Sequence, residues 1–304
     1  MPKVKRKLKN SLLKLQQEKQ YRDKINSLSH PYSKPKNKNK PTFIRPPPPP
    51  PYKSEDKILL LGEGNFSFAH SLAKNILHTG HFITATCFDS EKILNEKYDD
   101  AKDHIKSFIE SGGQVIYEVD ATQLEKCKLL KDKRFDKIVF NFPHAGLGIK
   151  DQDRNILSNQ KLIQAFFNSA IPFLSSKSLY SDTNDGEIHI TTKTGEPYNQ
   201  WNIKKLAKST GQLAIKETID FIPNQYPGYE HRRTLGYQRG KSKNDNNEIL
   251  SKKPKTIIIS RKELLELEKL QKEAAKNDDD DDDDDEKSSV KRKKKKKNNG
   301  KNKK

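Results

Sequence analysis

The sequence predicts an α/β fold, a doubly wound and mostly parallel sheet of seven strands, with disordered basic tails at both ends. Strand and helix patterns alternate through the middle of the 304-residue chain. Such alternation implies right-handed βαβ crossovers and a sheet covered by helices on both faces. Only 31% of the residues are hydrophobic, so part of the chain cannot belong to a packed core.

The individual elements follow from apolar runs bounded by turn residues and from the helical period of 3.6. Strands are predicted at 57–61, 82–88, 114–119, 135–141, 186–192, 212–220 and 231–237. Helices between these strands are predicted at 66–78, 91–111, 155–174 and 200–209. Two further short helices, over 8–25 and over 261–276, are predicted outside the sheet.

Charge divides the chain into three parts. Residues 1–53 carry 15 Lys and Arg against two acids and end in prolines 46–51, which predicts a basic, Pro-rich, disordered arm. Residues 54–240 carry 24 charges of each sign and are predicted to form the folded domain. Residues 241–304 are predicted to be a charged extension with a short helix, a run of eight aspartates and a Lys-rich tail. Basic arms on a neutral domain favour nucleic acid as the partner.

Composition also argues against several classes of protein. Cys87 and Cys127 are too few for a disulfide framework and belong to no C-x-x-C pair, so we predict packed thiols, a reducing compartment and no metal site. No apolar run approaches the roughly 20 residues that span a bilayer, and the N-terminus does not resemble a signal peptide. We expect an intracellular, soluble protein with no membrane partner.

The stretch "ILLLGEGNFSFAHSLAK", residues 58–74, runs a buried strand into two glycines and then into a helical pattern. In a doubly wound sheet, ligands bind beyond the carboxyl ends of the strands. Gly62 and Gly64 allow a tight turn that approaches a ligand closely. The third glycine of a dinucleotide fingerprint falls on Ser67, so a pyrophosphate site is not encoded. A glycine-rich connection that binds nothing is the alternative.

Two aspartates follow later strands of the predicted sheet. Asp89 ends the second strand, 27 positions beyond Gly62, where a carboxylate can accept the hydroxyls of a ribose. Asp120 ends the third strand, where it can contact an adenine amino group. Each could instead cap the following helix. Ribose and adenine without a pyrophosphate cradle favour S-adenosylmethionine over a nicotinamide dinucleotide.

The fourth strand ends in "IVFNFPHAGLG", which is similar to the Asn/Asp-Pro-Pro-aromatic motif of amino-group methyltransferases. In that motif a polar side chain and a carbonyl bind a planar nitrogen beside the methyl donor. Asn141 would supply the side chain and Phe142 a stacking face. His144, Asp151 and Asp153 are candidate proton acceptors, with a solvated loop histidine as the alternative for His144.

Four stretches carry a family resemblance: "LLGEGNFSFAHSL", "YEVDAT", "FDKIVFNFPHAGLG" and "DQDRNILSNQKLIQAFFNSA". From about Lys57 to Gly236 the chain resembles the Rossmann-like family of eukaryotic rRNA methyltransferases whose characterised fungal member methylates N3 of a uridine in large-subunit (25S) rRNA. The resemblance implies a class I methyltransferase fold, S-adenosylmethionine as methyl donor and large-subunit rRNA or pre-ribosomal particles as partners. It places the donor at Gly62, Glu63, Gly64, Asn65, Phe66, Asp89, Asp120 and Ala121. It places the target base at Asn141, Phe142, Pro143 and His144.

Two later loops mix aromatic and cationic residues in a way that suits base stacking and phosphate contact. The predicted RNA-binding residues are Lys193, Tyr198, Trp201, Arg232 and Arg233. A plain surface loop with a docked Trp201 is the alternative. The segments "KVKRKLK" and "KRKKKKK" are typical of nuclear or nucleolar localisation signals.

Two other functions compete with methyl transfer. A noncatalytic ribosome-assembly factor would use the α/β domain as a scaffold and its tails to bind pre-rRNA. An oxidoreductase that uses a nicotinamide cofactor is disfavoured by Ser67 and by the lack of a Tyr-x-x-x-Lys arrangement.

Overall fold

One mixed sheet forms the centre of the part of the chain that the computed structural model describes, residues 47–176, 185–234, 236 and 246–273. Its strands are β1 (Ile58–Leu61), β2 (Ile83–Thr86), β3 (Gln114–Ile116), β4 (Lys137–Asn141), β5 (Glu187–Thr192), β6 (Leu213–Asp220) and β7 (Lys255–Arg261). Their order across the sheet is β3-β2-β1-β4-β5-β7-β6. Only β7 runs antiparallel to its neighbours β5 and β6. The predicted doubly wound, mostly parallel seven-stranded sheet is confirmed.

Helices cover both faces of this sheet. They are α1 (Ser67–Ser71), which continues as a π-helix (Leu72–Ile76), α2 (Glu91–Lys97), α3 (Ala101–Glu110), α4 (Gln152–Ala170), α5 (Ile203–Ser209), α6 (Asn247–Leu250) and α7 over 262–273. Because successive side chains of a strand point to opposite faces, β1 contributes to two apolar clusters. Ile58 and Leu60 pack with α1 and α3, whereas Leu59 and Leu61 pack with α4.

The helix predicted over 91–111 is interrupted, and the interruption positions a side chain near the site. Tyr98 leaves the helical conformation with a φ of −138°, so α2 and α3 are separate. Its side chain is buried, and its hydroxyl donates to the backbone oxygen of Arg233 at 2.8 Å. A tertiary contact therefore breaks a helix that the local pattern predicts as continuous.

The strand predicted at 231–237 is wrong, because residues 231–234 have no regular secondary structure. The seventh strand is β7, whose Ile257, Ile258 and Ile259 are buried between β5 and β6. A continuous apolar run of this kind is typical of a strand buried on both faces, and it carries no period that separates it from a helix. The sheet thus uses residues beyond 240, and the helix predicted from 261 begins directly after β7.

Several predictions fall on residues outside the described ranges. These are the short helix over 8–25, the disordered N-terminal arm before residue 47, and the aspartate run and Lys-rich tail after residue 273. Within the described ranges no helix has the length and apolar character needed to cross a membrane. Cys87 and Cys127 are both free thiols.

The strand order fixes where a ligand can bind. The chain moves outward in one direction from β1 to β3 and in the other from β4 onward, so the order reverses between β1 and β4. A crevice opens at such a reversal, beyond the carboxyl ends of the two strands. The G-E-G-N loop follows β1 and the N-F-P-H loop follows β4, so both predicted motifs lie at this crevice.

Removing β7 should unfold the domain. A fragment of residues 49–273 keeps every strand, whereas 49–254 stops just before β7 and leaves β6 without a partner. Each isoleucine that loses its burial costs about 1.5–3 kcal/mol. We expect cooperative thermal unfolding, followed by circular dichroism, for 49–273 only. Cooperative unfolding of both fragments at the same temperature would contradict the role given to β7.

Candidate active site

A cavity of about 380 Å³ lies at the carboxyl ends of β1, β2 and β4, and we call it the donor cavity. Seven of the eight residues predicted to bind the methyl donor line it: Gly62, Glu63, Gly64, Asn65, Asp89, Asp120 and Ala121. Phe66 does not, because its side chain is fully buried in the core. The structure therefore brings three separate sequence motifs to one cavity.

Gly62 makes the turn out of β1. Its φ is +66°, a conformation that costs other residues about 1–2 kcal/mol. A Cβ atom there would lie 2.5 Å from Cε2 of Phe140 on β4. The positive φ and the close approach to Phe140 both require glycine at this position. Because glycine has no side chain, its backbone can form the floor of the donor cavity. Phe66 also has a positive φ, 59°, and this second turn directs the chain into α1.

The G-E-G-N loop satisfies the amide groups at the start of α1 with its own side chains. The amide of Ser67 donates to Oδ1 of Asn65 at 3.2 Å, and that of Ala69 donates to Oε2 of Glu63 at 3.2 Å. A pyrophosphate would need those amides free and would be repelled by the carboxylate. The loop therefore fits a donor without a pyrophosphate.

Glu63 is a buried acid with no cationic partner among the described residues that form ion pairs. Burial of its carboxyl group raises its pKa to about 7. A positive charge entering the donor cavity would favour the ionised form and lower this pKa. S-adenosylmethionine carries such charges on its sulfonium and ammonium groups.

The two predicted aspartates have different neighbours. Both carboxylate oxygens of Asp89 accept from Nζ of Lys97, at 2.8 and 2.7 Å, while Ser90 caps α2. Asp89 is therefore not used as a helix cap. The carboxylate of Asp120 accepts from the amide and hydroxyl of Thr122 and from Nε2 of Gln123, and it closes a turn. A carboxylate has about four lone-pair sites, so each can still accept from a ligand.

Sequence reasoning missed three contributors to the donor cavity. Phe88 is 71% exposed beside Asp89 and offers an aromatic face to a base. Lys97 forms the ion pair with Asp89. The third is the segment 229–234, which we call the strap; the sequence predicted its Arg232 and Arg233 only as RNA-binding residues and not as part of the donor cavity. Only Phe88 left a local signal, an aromatic residue next to the strand-end acid, because the other two depend on tertiary contacts.

The strap closes one side of the donor cavity, although its Glu230 lies 163 residues beyond Ser67 in the sequence. Ser67 Oγ donates to the carbonyl oxygen of Glu230 and accepts from its amide, both at 3.1 Å. Nη2 of Arg232 donates to Asp100 at 2.7 Å, and Asp100 also accepts from Nδ2 of Asn65 at 2.9 Å. The strap is thus fastened to the loop that lines the cavity.

A second cavity of about 250 Å³ adjoins the first, and we call it the acceptor cavity. All five predicted RNA-binding residues line it: Lys193, Tyr198, Trp201, Arg232 and Arg233. The two cavities share six residues: Phe142, Pro143, His144, His231, Arg232 and Thr234. Phe142, Pro143 and His144 of the N-F-P-H motif, together with three strap residues, therefore form the wall between the cavities, and Asn141 lines only the donor cavity.

Within the N-F-P-H motif, Asn141 and Phe142 have unusual features. Phe142 has a φ of 52°, and its ring lies 4.7 Å from the ring of His231. Oδ1 of Asn141 is buried and has no hydrogen-bond partner among the described residues. A buried acceptor without a partner costs about 1–3 kcal/mol, so a ligand that donates a hydrogen bond to Oδ1 would remove this cost.

His144 stands on a loop that the rest of the domain fixes. Nδ1 of His144 accepts from the amide of Gly146 at 2.9 Å, and the amide of Ala145 donates to the buried Asn159 at 2.9 Å. The side chain of His144 is exposed, and desolvation by the neighbouring protein atoms, followed by the charge of Lys193, lowers its pKa. Asp151 caps α4, and neither Asp151 nor Asp153 lines either cavity.

The acceptor cavity is rich in rings and cations. Trp201 is 3% exposed and Lys193 is 8% exposed, so both can contact only a group that enters the cavity. Lys193 and Arg233 both pair with Glu248, at 2.6 and 2.9 Å. His231 is held neutral, because burial lowers its pKa to about 3. No group of His, Cys, Asp and Glu in the described ranges is arranged to hold a metal ion.

The strand order with its antiparallel β7, the donor cavity at the switch point and the adjoining acceptor cavity define a Rossmann-like, class I methyltransferase that uses S-adenosylmethionine. A protein-family model narrows the class. Residues 59–233, more than half of the chain, match the model of the BMT5-like rRNA (uridine-N3-)-methyltransferases. The chain belongs to this family.

Three curated proteins illustrate the relationship. An uncharacterised Arabidopsis thaliana protein, At4g26485, is 41% identical over 62% of this chain and 87% of its own length. The 25S rRNA (uridine(2634)-N(3))-methyltransferase of Saccharomyces cerevisiae is 30% identical over 62% of this chain and 68% of its own. Heavy metal-associated isoprenylated plant protein 41 of A. thaliana is 36% identical over 61% of this chain, and the match spans 34% of that longer protein.

Solved structures give a weaker likeness. The fibrillarin of Aeropyrum pernix, solved in complex with S-adenosyl-L-methionine, has a TM-score of 0.38 and 14% identity over 67% of this chain and 66% of its own.

If Glu63 balances the positive charge of the donor, the affinity should depend on pH through this carboxyl group, in addition to the donor's own α-amino group, which titrates at about pH 8. The complex favours the ionised carboxylate, so binding releases a proton below the free pKa of about 7. The affinity for S-adenosylmethionine should then rise up to about tenfold from about pH 6 to about pH 8. Isothermal titration in buffers of different ionisation enthalpy measures both the affinity and the released proton.

Glu63→Gln keeps an oxygen for the amide of Ala69 and should bind more weakly, and only the pH dependence of the donor's own α-amino group should remain. Glu91→Gln, on the exposed first turn of α2, is the matched control and should behave as the unmodified protein. An unchanged pH dependence in Glu63→Gln would contradict the assignment. A parallel titration with S-adenosylhomocysteine, which keeps the ammonium group but lacks the sulfonium charge, separates the contributions of these two groups to the affinity.

Proposed function

We propose that this protein transfers a methyl group from S-adenosylmethionine to N3 of a uridine in large-subunit rRNA during ribosome biogenesis. The observation that carries the proposal is the pair of adjoining cavities that share Phe142, Pro143 and His144, with Asn141 on the donor side of this wall. One cavity has the acids that suit the donor, and the other has the rings and cations that suit a base. Family membership supports the same reaction.

The donor cavity fits S-adenosylmethionine in charge and in shape. When bound, this donor supplies an electrophilic methyl group on a sulfonium sulfur. In the proposal, Gly62 and Gly64 allow close backbone approach, and Glu63 balances the positive charge. Asp89 accepts from the ribose, Asp120 from the adenine, and Phe88 lies against the adenine ring. The strap excludes water from the donor.

The acceptor cavity is proposed to receive a single unpaired base. N3 of uridine is normally engaged in base pairing, so the nucleotide must be unpaired or turned out of its helix before transfer. The rings of Phe142 and His231 can stack on it, whereas Trp201 is docked in the core and offers only its edge. Oδ1 of Asn141 can accept from N3–H, which satisfies its missing hydrogen bond and points N3 toward the donor cavity.

Positioning supplies most of the catalysis in this scheme. The protein lowers the activation barrier by aligning the two reactants, and it forms no covalent intermediate with either. The methyl carbon and N3 need to be held within about 3.5 Å of each other. The positive φ of Phe142 and the fixed loop of His144 hold the shared wall in one conformation. Backbone strain of this kind persists where the surrounding structure over-determines it, often at functional sites.

The surface around the acceptor cavity is proposed to bind RNA. Arg233 is 42% exposed and can contact phosphates outside the cavity, while Lys193 and Trp201 face the base. The basic terminal segments should add sequence-independent affinity. Binding to pre-ribosomal particles in the nucleolus is part of the proposal, and it rests on these segments together with the S. cerevisiae relative named for 25S rRNA.

The energetic cost of the buried polar groups in the site argues against a noncatalytic scaffold. A scaffold gains nothing from a buried carboxyl with a raised pKa, nor from a buried amide oxygen without a partner. Both features are expected in a site that awaits a cationic donor and a base with an N–H group.

The proposed product can be detected directly in cells. An N3-methyl group blocks the pairing edge of uridine, so reverse transcriptase stops at the modified base. In cells that lack this protein, one such stop in large-subunit rRNA should disappear, and it should return with the unmodified gene. Unchanged stops at every N3-methyluridine of this rRNA would contradict the proposed substrate.

Asn141→Ala should abolish methyl transfer and leave the affinity for S-adenosylmethionine within about threefold, since its oxygen is assigned to the base. Asn141→Asp keeps an acceptor oxygen in place and should retain part of the activity. Tritiated methyl incorporation into unmodified rRNA and isothermal titration measure the two effects separately. Full activity of Asn141→Ala would remove this residue from the base site.

A further inference from the structure

We propose that His144 is a hydrogen-bond donor to a carbonyl oxygen of the target uracil, through Nε2–H, and is not the acceptor of the N3 proton. This role deepens the proposed function and rests on it. The donor role of Nε2 follows from the hydrogen bond that the other ring nitrogen, Nδ1, accepts.

The tautomer is determined by a backbone amide. An amide N–H can only donate, so Nδ1 of His144, which accepts from Gly146 at 2.9 Å, carries no proton. In a neutral imidazole the single proton is then on Nε2, which makes Nε2 a donor. The loop keeps this arrangement because the amide of the intervening Ala145 is bound by the buried Asn159.

The charges around the ring keep His144 neutral. The ionisable groups that line the acceptor cavity with it are Lys193, Tyr198, His231, Arg232, Arg233 and Glu248. Glu248, the only acid in this set, is already paired with Lys193 and Arg233. Desolvation by the neighbouring protein atoms and, second, the charge of Lys193 lower the pKa of His144. A second proton on the ring is disfavoured, and the Nε2–H form persists.

This arrangement is complementary to the pairing edge of uracil. That edge presents a carbonyl oxygen, N3–H and a second carbonyl oxygen. Oδ1 of Asn141, the buried acceptor without a partner, matches N3–H, and Nε2–H of His144 matches a neighbouring carbonyl. Cytosine has no proton on N3, so it would leave Oδ1 of Asn141 unpaired. The pair Asn141 and His144 therefore selects uracil over cytosine.

The proton on N3 then leaves to water and not to His144. Loss of this proton leaves a negative charge spread over N3 and the two carbonyl oxygens, which Nε2–H and the nearby cations stabilise. The electron pair on N3 forms the new N–CH₃ bond, and the S–CH₃ bonding pair stays on the donor sulfur. Water receives one proton, the base gains one methyl group, and the sulfonium becomes a neutral thioether.

Nuclear magnetic resonance tests the tautomer without any reaction. Long-range ¹H–¹⁵N correlation spectra of the full chain, with His144→Gln used for assignment, should show a protonated Nε2 and an unprotonated Nδ1. His144 should titrate below the ordinary histidine pKa of about 6.5. A proton on Nδ1 in the neutral ring would overturn the proposal.

Activity provides the second test, with tritiated methyl transfer to unmodified large-subunit rRNA as the probe. His144→Ala should lower kcat by about 10²- to 10³-fold, as loss of one preorganised donor does. His144→Gln, which can still donate from an amide, should stay within about tenfold and keep the pH profile of the unmodified protein. His81→Gln, at an exposed position before β2, is the matched control.

The outcomes separate this proposal from the proposed function. If the unmodified protein does not methylate uridine, the proposed function fails, and the spectra still report the tautomer. If it methylates uridine while His144→Gln is as inactive as His144→Ala, His144 acts as the base and the donor role is wrong. Recovery of activity in His144→Gln with an unchanged pH profile supports the donor role.

Discussion

The ion pair between Arg232 and Asp100 holds the two halves of the site together. Asp100 precedes α3 and also accepts from Asn65 of the G-E-G-N loop, while Arg232 belongs to the strap. The arginine side chain is 16% exposed, so solvent screens the pair only in part. Since Arg232 lines both cavities, the same interaction that closes the donor cavity also shapes the acceptor cavity.

Local patterns in the sequence predict most of this architecture. The first six strands lie where their apolar runs indicate, and the G-E-G-N and N-F-P-H motifs meet at the crevice because parallel strands end at one edge. The seventh strand could not be predicted in the same way. The run T-I-I-I-S has no period, and its placement between β5 and β6 depends on pairing with strands distant in the chain.

The candidate site shows the same difference between features that local sequence patterns predict and features that they do not. Gly62, Asp89 and Asn141 are predictable because each lies at, or within three residues of, the carboxyl end of a strand. The strap residue Glu230 is bonded to Ser67 across 163 positions, and Lys97 reaches Asp89 only because α2 ends where it does. The tautomer proposed for His144 depends on one backbone amide two residues away. The first two features arise from tertiary geometry and the third from the backbone conformation of one loop, and the pattern of residue types contains neither.

The position of β7 also has a consequence for the order in which the protein is made. In the sheet, β6 is bonded only to β7, and β7 follows it along the chain by 35 residues, counted from Asp220 to Lys255. At synthesis rates of about 5–20 residues per second, β6 and the open edge of β5 wait for seconds beside the ribosome. Unpaired edges invite pairing with other chains, so this interval is when the nascent protein most needs protection. The enzyme proposed to modify ribosomal RNA would thus be most vulnerable while it emerges from a ribosome.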